Sequence, residues 1–183
     1  MEHTSGSAVT GEQKLANDME ARIGRIEDRV AIGETVIRYG LAVDRRDWVM
    51  FERCFTDPVN TGYNSEGVPS GFTSRKDLVA LVSTALNGFT TTQHLSTNHV
   101  IEFDEKDPDH AVCISSMYAQ HLLKGSPNGE FYLLRAIYTD YMRRTPDGWC
   151  IEGIDTENRW EEGNLMAVDE AIKRSTATGA DGS

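Results

Sequence analysis

The sequence predicts an α+β domain in which helices cover one face of a curved antiparallel sheet that encloses a cavity. Two observations carry this prediction. In the first half of the chain, apolar residues recur at three- and four-residue steps, which is the helical period. After residue 89, four runs rich in β-branched and aromatic residues are separated by turn signals, a pattern typical of an antiparallel meander. A length of 183 residues with 39% apolar content fits one domain.

Four elements are expected before residue 89, and each has a local signal. They are one long helix over residues 15–44, or two helices joined near Gly24, a short helix after Asp47, a strand and turn within 58–72, and a helix over 73–87. Asp47 is suited to cap the second helix, because its carboxylate can accept a hydrogen bond from a free backbone N–H of the first turn. The stretch 58–72 is rich in glycine, proline and asparagine, which favour turns.

Four strands and a final helical segment are expected after residue 89. The strands cover residues 90–103, 111–123, 130–144 and 149–159, and the amphipathic segment 165–172 can return over the open end of the cavity. Both chain ends are rich in small polar residues. We therefore expect disordered tails at residues 1–14 and 175–183 around a single domain at 15–174.

Composition and charge argue against several classes of partner. The chain carries 29 acidic and 18 basic residues, a formal net charge of -11, without a basic cluster suited to a phosphate backbone. No apolar stretch is long enough to span a membrane, and the N-terminus lacks the pattern of a signal peptide. We expect a cytoplasmic protein that binds neither nucleic acid nor a membrane. The three widely spaced cysteines predict reduced thiols rather than disulfides or a zinc site.

Asp44, His94 and His121 are candidate acid–base residues. Strand alternation groups His94 with Thr92 on one polar face, and it places His121 on a face of small residues such as Ser115. The ordinary pKa of histidine lies near neutral pH, and a carboxylate bonded to one ring nitrogen leaves the other free to accept a proton. The positions of these residues in the sequence do not by themselves show that Asp44 of the helix lies close to His94 and His121 of the strands.

Structural alternatives remain open for these residues at this point. A single strand histidine is more often a structural side chain than a base, and His121 at a strand end can simply be solvated. Asp44 can form a surface ion pair with the adjacent Arg45 or Arg46, which contributes little to stability. Asp140, with arginines nearby in sequence, is expected to form a structural salt bridge.

The order of motifs resembles the SnoaL-like branch of the nuclear transport factor 2-like superfamily. The motifs on which this resemblance rests are residues 42–48, Tyr63, Gln93 and His94, His121, 138–141, 147–149 and 158–160. Each motif is weak by itself, but their order over residues 27–165 is specific. Within the family the chain is most similar to scytalone dehydratase and hexachlorocyclohexane dehydrochlorinase. The resemblance implies a cone-shaped barrel of a curved antiparallel sheet, with N-terminal helices closing an internal cavity. It also implies a homo-oligomer formed through the outer sheet face, a trimer being favoured and a dimer the alternative.

The resemblance also implies roles for individual residues. Asp44 matches the carboxylate that orients the catalytic histidine, and His94 matches that histidine, the general base. His121 matches the residue that protonates the leaving group, and Tyr63 matches a tyrosine that polarises the substrate. The expected substrate-binding residues are Tyr39, Val43, Met117, Ala136, Tyr138 and Trp160. Three of these, Val43, Ala136 and Tyr138, replace the residues that the dehydratase has there, so the substrate is expected to differ.

The function implied is that of a cofactor-independent lyase without a metal. The reaction is a dehydratase-like elimination, or a related retro-aldol cleavage, on a small hydroxylated substrate, aromatic compounds included. An isomerase or a polyketide cyclase is an alternative, because both begin from the same kind of base and oxyanion donor. A non-catalytic small-molecule-binding or structural subunit is a further alternative, because one fold serves many functions.

Overall fold

The computed structural model describes residues 11–63 and 71–180. In chain order the elements are α1 Gly11–Arg45, α2 Trp48–Glu52, β1 Phe55–Tyr63, β2 Gly71–Thr73, α3 Arg75–Leu86, β3 Thr91–Phe103, β4 His110–Leu122, β5 Phe131–Thr145, β6 Gly148–Gly163 and α4 Ala167–Ala180. Residues 11–14 and 175–180, which the sequence pattern assigned to tails, therefore belong to helices. The remainder of both predicted tails lies outside the described residues.

The α+β, cone-like fold predicted from the sequence is confirmed, but the sheet differs in two respects. Its strand order is β2-β1-β6-β5-β4-β3, and β3 to β6 form the expected antiparallel meander. The prediction of a wholly antiparallel sheet is wrong, because β1 pairs with β6 in parallel and the sheet is mixed. The curved sheet is also unclosed, since β2 and β3 form its two edges. Extra residues in β3, opposite β4, and in β6, opposite β5, mark irregularities of the kind that bend a strand.

Helix α1 ends in a way that directs its last side chains toward the sheet. Arg46 has a φ of 58°, the left-handed conformation that stops a helix. Its N–H donates to the carbonyl of Val43 at 3.1 Å, and the N–H of Asp47 donates to the carbonyl of Ala42 at 2.9 Å, as in a Schellman motif. As predicted, Asp47 then caps α2 by accepting a hydrogen bond from the N–H of Met50 at 2.9 Å.

The main core lies between one face of α1 and the concave face of the sheet. Ile32, Val36 and Val43 of α1 are buried there with Met142 and Ile154 of the sheet. The predicted periodicity is present along α1, yet many of its apolar residues, Ile23 and Ile26 among them, are exposed. None of the described helices is both long and apolar enough to cross a membrane.

Polar contacts attach α1 to the sheet, and apolar packing holds α4 in place. The carboxylate of Asp28 accepts two hydrogen bonds from Arg144, both at 2.7 Å, and one from the indole of Trp149 at 3.0 Å. Helix α4 packs on a cluster of Phe89, Leu123 and Tyr132, and its Ala171 lies against Gly88. A Cβ at Gly88 would come within 1.8 Å of the Ala171 carbonyl oxygen, so this approach requires glycine.

Candidate active site

Asp44 and His94 form a hydrogen-bonded pair where α1 meets β3. The Nδ1 of His94 lies 2.7 Å from Oδ1 of Asp44, and the backbone N–H of His94 donates to Oδ2 at 2.8 Å. The hydroxyl of Thr92 donates to Oδ1 at 2.9 Å. Burial raises the pKa of Asp44, but the hydrogen bonds from His94 and Thr92 outweigh this effect and hold it below its ordinary value.

The ionised state of Asp44 fixes the tautomer of His94. An ionised carboxylate can only accept hydrogen bonds, so Nδ1 of His94 carries the proton. In the neutral ring, Nε2 is then the basic nitrogen with a free lone pair. The side chain of His94 is 8% exposed and that of Asp44 is 17% exposed. The site therefore holds an oriented, largely desolvated imidazole.

Arg46 and Thr92 support this pair and were not assigned to the site from the sequence. One guanidinium nitrogen of Arg46, Nη1, donates to the hydroxyl of Thr92 at 2.9 Å and to the carbonyl of Val43 at 2.6 Å. Thr92 in turn donates to Asp44. Asp44 is thus held by hydrogen bonds from β3, and it makes no surface ion pair with an adjacent arginine within the described parts of the chain. The one available signal was that Thr92 shares a strand face with His94.

His121 lies beside His94 but is not solvated. The two rings meet edge to face with their centroids 5.4 Å apart, and the rings of Phe89 and Tyr132 pack on His121. His121 is 5% exposed. Burial, reinforced by the positive charge that His94 can carry, lowers the pKa of His121 to about 3. His121 is therefore uncharged at neutral pH, which disfavours the predicted role of a proton donor to the leaving group.

The strand register places most of the predicted substrate-binding residues on the concave side. Ala119 stands beside His94, Ala136 beside Met117, and Tyr138 beside Ser115. Met117, Ala136 and Tyr138 are buried in the main core together with Tyr39 and Val43 of α1. Burial, reinforced by the charge of Asp140, raises the pKa of Tyr138 to about 12, so its hydroxyl stays protonated.

Trp160 and Tyr63 complete the set of predicted residues, and neither can be placed beside His94. Trp160 is 51% exposed and lies with Arg135 and Tyr118 on the convex face, where the guanidinium stacks between the two rings. The prediction that Trp160 binds the substrate is thus contradicted, because its register partner Arg135 lies on the face of the sheet opposite to His94. The backbone of Tyr63 pairs with Thr156 at the end of β1, and its side chain lies outside the described residues.

Asp140 forms a second buried acidic position on the concave face, between Cys113 and Ile154 in the register. It is 1% exposed, and neither carboxylate oxygen has a hydrogen-bond partner among the described residues. The expected salt bridge is therefore absent from the described structure, since Arg143 pairs with Asp107 and Glu152 on the other face. Burial raises the pKa of Asp140 to about 7.

No group of three histidine, cysteine, aspartate or glutamate side chains in the described segments is arranged to hold a metal ion. The three cysteines are free and buried, as predicted. Burial raises the pKa of Cys54 and of Cys113 to about 12, which keeps both thiols protonated.

The curved sheet is covered by helices, and the Asp44–His94 pair lies at the end of α1. This arrangement is that of a cone-fold protein of the nuclear transport factor 2-like superfamily. The SnoaL-like domain model matches residues 24–155. The chain belongs to this family. No curated protein matches the sequence.

Solved structures with the same fold include enzymes. A protein from Kribbella flavida is 25% identical, with 78% of this chain and 98% of that chain covered and a TM-score of 0.70. Hexachlorocyclohexane dehydrochlorinase LinA-type3 from Novosphingobium barchaimii is 19% identical, with 79% and 94% covered and a TM-score of 0.66. A protein from Novosphingobium aromaticivorans, provisionally assigned as a scytalone dehydratase, is 16% identical, with 76% and 89% covered and a TM-score of 0.64. The latter two likenesses concern the fold alone.

Proposed function

We propose that this protein is a cofactor-independent lyase that uses His94 as its general base and Asp44 as the residue that positions it. The observation that carries the proposal is the 2.7 Å contact between Nδ1 of His94 and Asp44, which leaves Nε2 available as the base. Neighbours of the same fold that are named as a dehydrochlorinase and a dehydratase support an elimination.

The proposed reaction begins with removal of a proton from a carbon next to an electron-withdrawing group of the substrate. Nε2 of His94 takes the proton, the electron pair of the broken C–H bond forms a carbon–carbon double bond, and the carbon–oxygen bond to the leaving hydroxyl breaks. The imidazolium of His94 is stabilised by the ionised Asp44, and it returns the proton to the departing oxygen to form water. A base of this kind contributes on the order of 10²–10⁴ to the rate.

The second histidine takes a different role in this scheme. Because His121 is uncharged, it serves the reaction as a neutral hydrogen-bond donor or as a wall of the site, while His94 transfers the proton in both directions.

The residue that polarises the substrate is proposed to be Tyr63. A related retro-aldol cleavage would begin with the same base, His94, and is included in the proposed lyase activity.

The proposed substrate class rests on the buried side chains that surround His94. Ala119 is small and stands next to His94, and Met117, Ala136 and the ring of Phe89 give the concave side an apolar character. We propose a small, mainly apolar, hydroxylated substrate, with aromatic compounds as good candidates. The proposed setting is the cytoplasm.

The test is turnover by the full-length protein on a panel of β-hydroxy carbonyl compounds and hydroxylated aromatic compounds. Mass spectrometry follows the loss of one water, or of a small aldehyde. For any compound that reacts, His94→Ala and Asp44→Asn should each lower kcat by roughly 10²–10⁴. Gln93→Ala is the matched control, because Gln93 is the exposed strand neighbour of His94 and should leave the rate unchanged. Unchanged turnover by both site variants, with the fold verified by circular dichroism, would eliminate His94 as the base.

A further inference from the structure

Helix α1 carries a second apolar face that the described structure leaves about half exposed. We call this face the α1 seam; it consists of Leu15, Met19, Ile23, Ile26, Val30, Ile37 and Leu41. Each of these side chains is between 44% and 63% exposed. The residues that α1 buries against the sheet, such as Ile32, Val36 and Val43, lie roughly 100–140° around the helix from the centre of the seam. A surface helix normally has one apolar face, directed at its own core, so the α1 seam needs another partner.

The spacing of the α1 seam is that of a coiled coil. Met19, Ile23, Ile26, Val30 and Ile37 follow one another at steps of four, three, four and seven residues. At 3.6 residues per turn, the seven seam residues fall within a band about 80° wide, which is narrow for a core-facing helix and typical of a coiled-coil contact. The seam extends over nearly four heptads, about 40 Å of helix.

The charges beside the α1 seam favour a second copy of the same chain in parallel orientation. Glu20 and Glu27 lie along one edge of the seam, and Arg22 and Arg29 lie along the other. In a parallel, in-register pair, each residue of the arginine edge faces the residue five positions later on the other helix, so Arg22 meets Glu27 of the second copy. An antiparallel pair would instead bring arginine to arginine and glutamate to glutamate.

The two charged edges are free to make this contact. Neither Arg22 nor Glu27 has an ion pair or hydrogen bond with another described residue. Arg29 is partly engaged, because it donates to the carbonyl of Ile101. Strand β3 also borders the helix at Gly33, where a Cβ would lie 3.7 Å from His99. The closest contact between copies is therefore expected over residues 15–24, N-terminal to the α1 side chains that contact the sheet.

We infer that the α1 seam binds the α1 seam of a second copy, with the two helices parallel and in register. This contact is separate from the outer sheet face, and it does not depend on the proposed catalytic activity. It would bury the apolar residues of the seam and pair the Arg22 and Glu27 side chains across the interface.

The first experiment measures the mass of the full chain by light scattering and sedimentation. The wild type should be an oligomer, and Ile26→Asp should weaken its association at least tenfold, because it places a charge at the centre of the seam. Ala21→Asp is the matched control, since it adds the same charge to the same helix outside the seam and should leave the mass unchanged. A monomeric wild type, or an oligomer that Ile26→Asp leaves intact, overturns the inference.

The second experiment determines the orientation of the helices. The native cysteines are all buried, so a cysteine introduced on the seam provides the reactive thiol. Met19→Cys and Ile26→Cys, made as separate variants and oxidised, should both form disulfide-linked dimers, because each position meets its own counterpart in a parallel pair. In an antiparallel pair, a position meets itself only at the centre of the overlap. Cross-linking of one variant alone, or of neither, contradicts the parallel arrangement.

The third experiment tests the charge pairing. Arg22→Glu should weaken association by a factor of roughly 2 to 5, since an exposed ion pair contributes up to about 1 kcal/mol. Adding Glu27→Arg should restore the original affinity by reversing the pair. Failure of the double variant to recover would contradict the Arg22–Glu27 contact.

Discussion

Asp140 should make the stability of this protein fall as the pH rises, and Asp140→Asn should remove that dependence. In the unfolded chain the carboxyl ionises near its ordinary pKa of 3.8, whereas burial raises the folded pKa to about 7. Between these values the folded state binds more protons than the unfolded state. The stabilisation is therefore fully present below pH 3.8 and is lost as the pH rises through about 7.

The magnitude follows from the pKa shift. Each pH unit within this interval changes the free energy of unfolding by about 1.4 kcal/mol. Between pH 5 and pH 8 the folded carboxyl keeps its proton, while the unfolded one is ionised, over about two pH units, which corresponds to roughly 3 kcal/mol. For a domain of this size, this is a change of roughly 5–10 °C in Tm. The side-chain amide that Asp140→Asn introduces does not ionise, so the variant lacks this pH-dependent contribution.

Thermal unfolding followed by circular dichroism at pH 5, 6, 7 and 8 provides the assay. The quantity of interest is the difference in Tm between Asp140→Asn and the wild type, because other groups that titrate in this range then cancel. This difference should move in favour of the variant by roughly 5–10 °C from pH 5 to pH 8. Asp147→Asn, at an exposed turn, is the control and should show no such trend. If the Tm of the wild type and of Asp140→Asn changed with pH in the same way, the assignment of Asp140 as a buried, unpaired carboxyl would be refuted.

Two further predictions concern His121 and Asp28. Because the pKa of His121 is lowered to about 3 from an ordinary 6.5, stability should fall as the pH drops below 6.5. The stability of His121→Phe relative to wild type should therefore increase by roughly 2 kcal/mol between pH 7.5 and pH 5 in denaturant titrations, and a constant difference would contradict the pKa. Asp28→Asn should lower the free energy of unfolding by about 1–3 kcal/mol, since it weakens the charged contact with Arg144 and Trp149. Asp18→Asn, on the exposed part of α1, should change it by less than about 0.5 kcal/mol.

Local patterns in the sequence were sufficient to predict most elements and the class of fold. Asp47 was recognised as a cap because capping depends on atoms only three residues away. The meander from β3 to β6 was predicted because its strands are neighbours in sequence. The pairing of β1 with β6 was not, since Phe55 and Ile151 are far apart in the chain and no local signal specifies a parallel partner.

The candidate site was only partly accessible from the sequence. Resemblance connected Asp44 with His94, and the contact between them is present in the structure. Thr92 and Arg46 were missed, because their contribution depends on how the end of α1 meets β3. Trp160 was expected to bind the substrate but lies on the other face, because the register of β6 shifts opposite Arg135 and Ala136.

The sequence by itself determined which residues lie on a common helix or strand face, because the periods of 3.6 and two residues are properties of the local backbone. Only the tertiary structure decided what each face meets. It left Asp140 buried without a partner in the described structure, enclosed His121 among aromatic rings and gave His94 its carboxylate. It also covered one face of α1 with the sheet and left the α1 seam exposed. The physical reason is that burial and hydrogen-bond partners arise from contacts between residues distant in sequence, which no local pattern encodes.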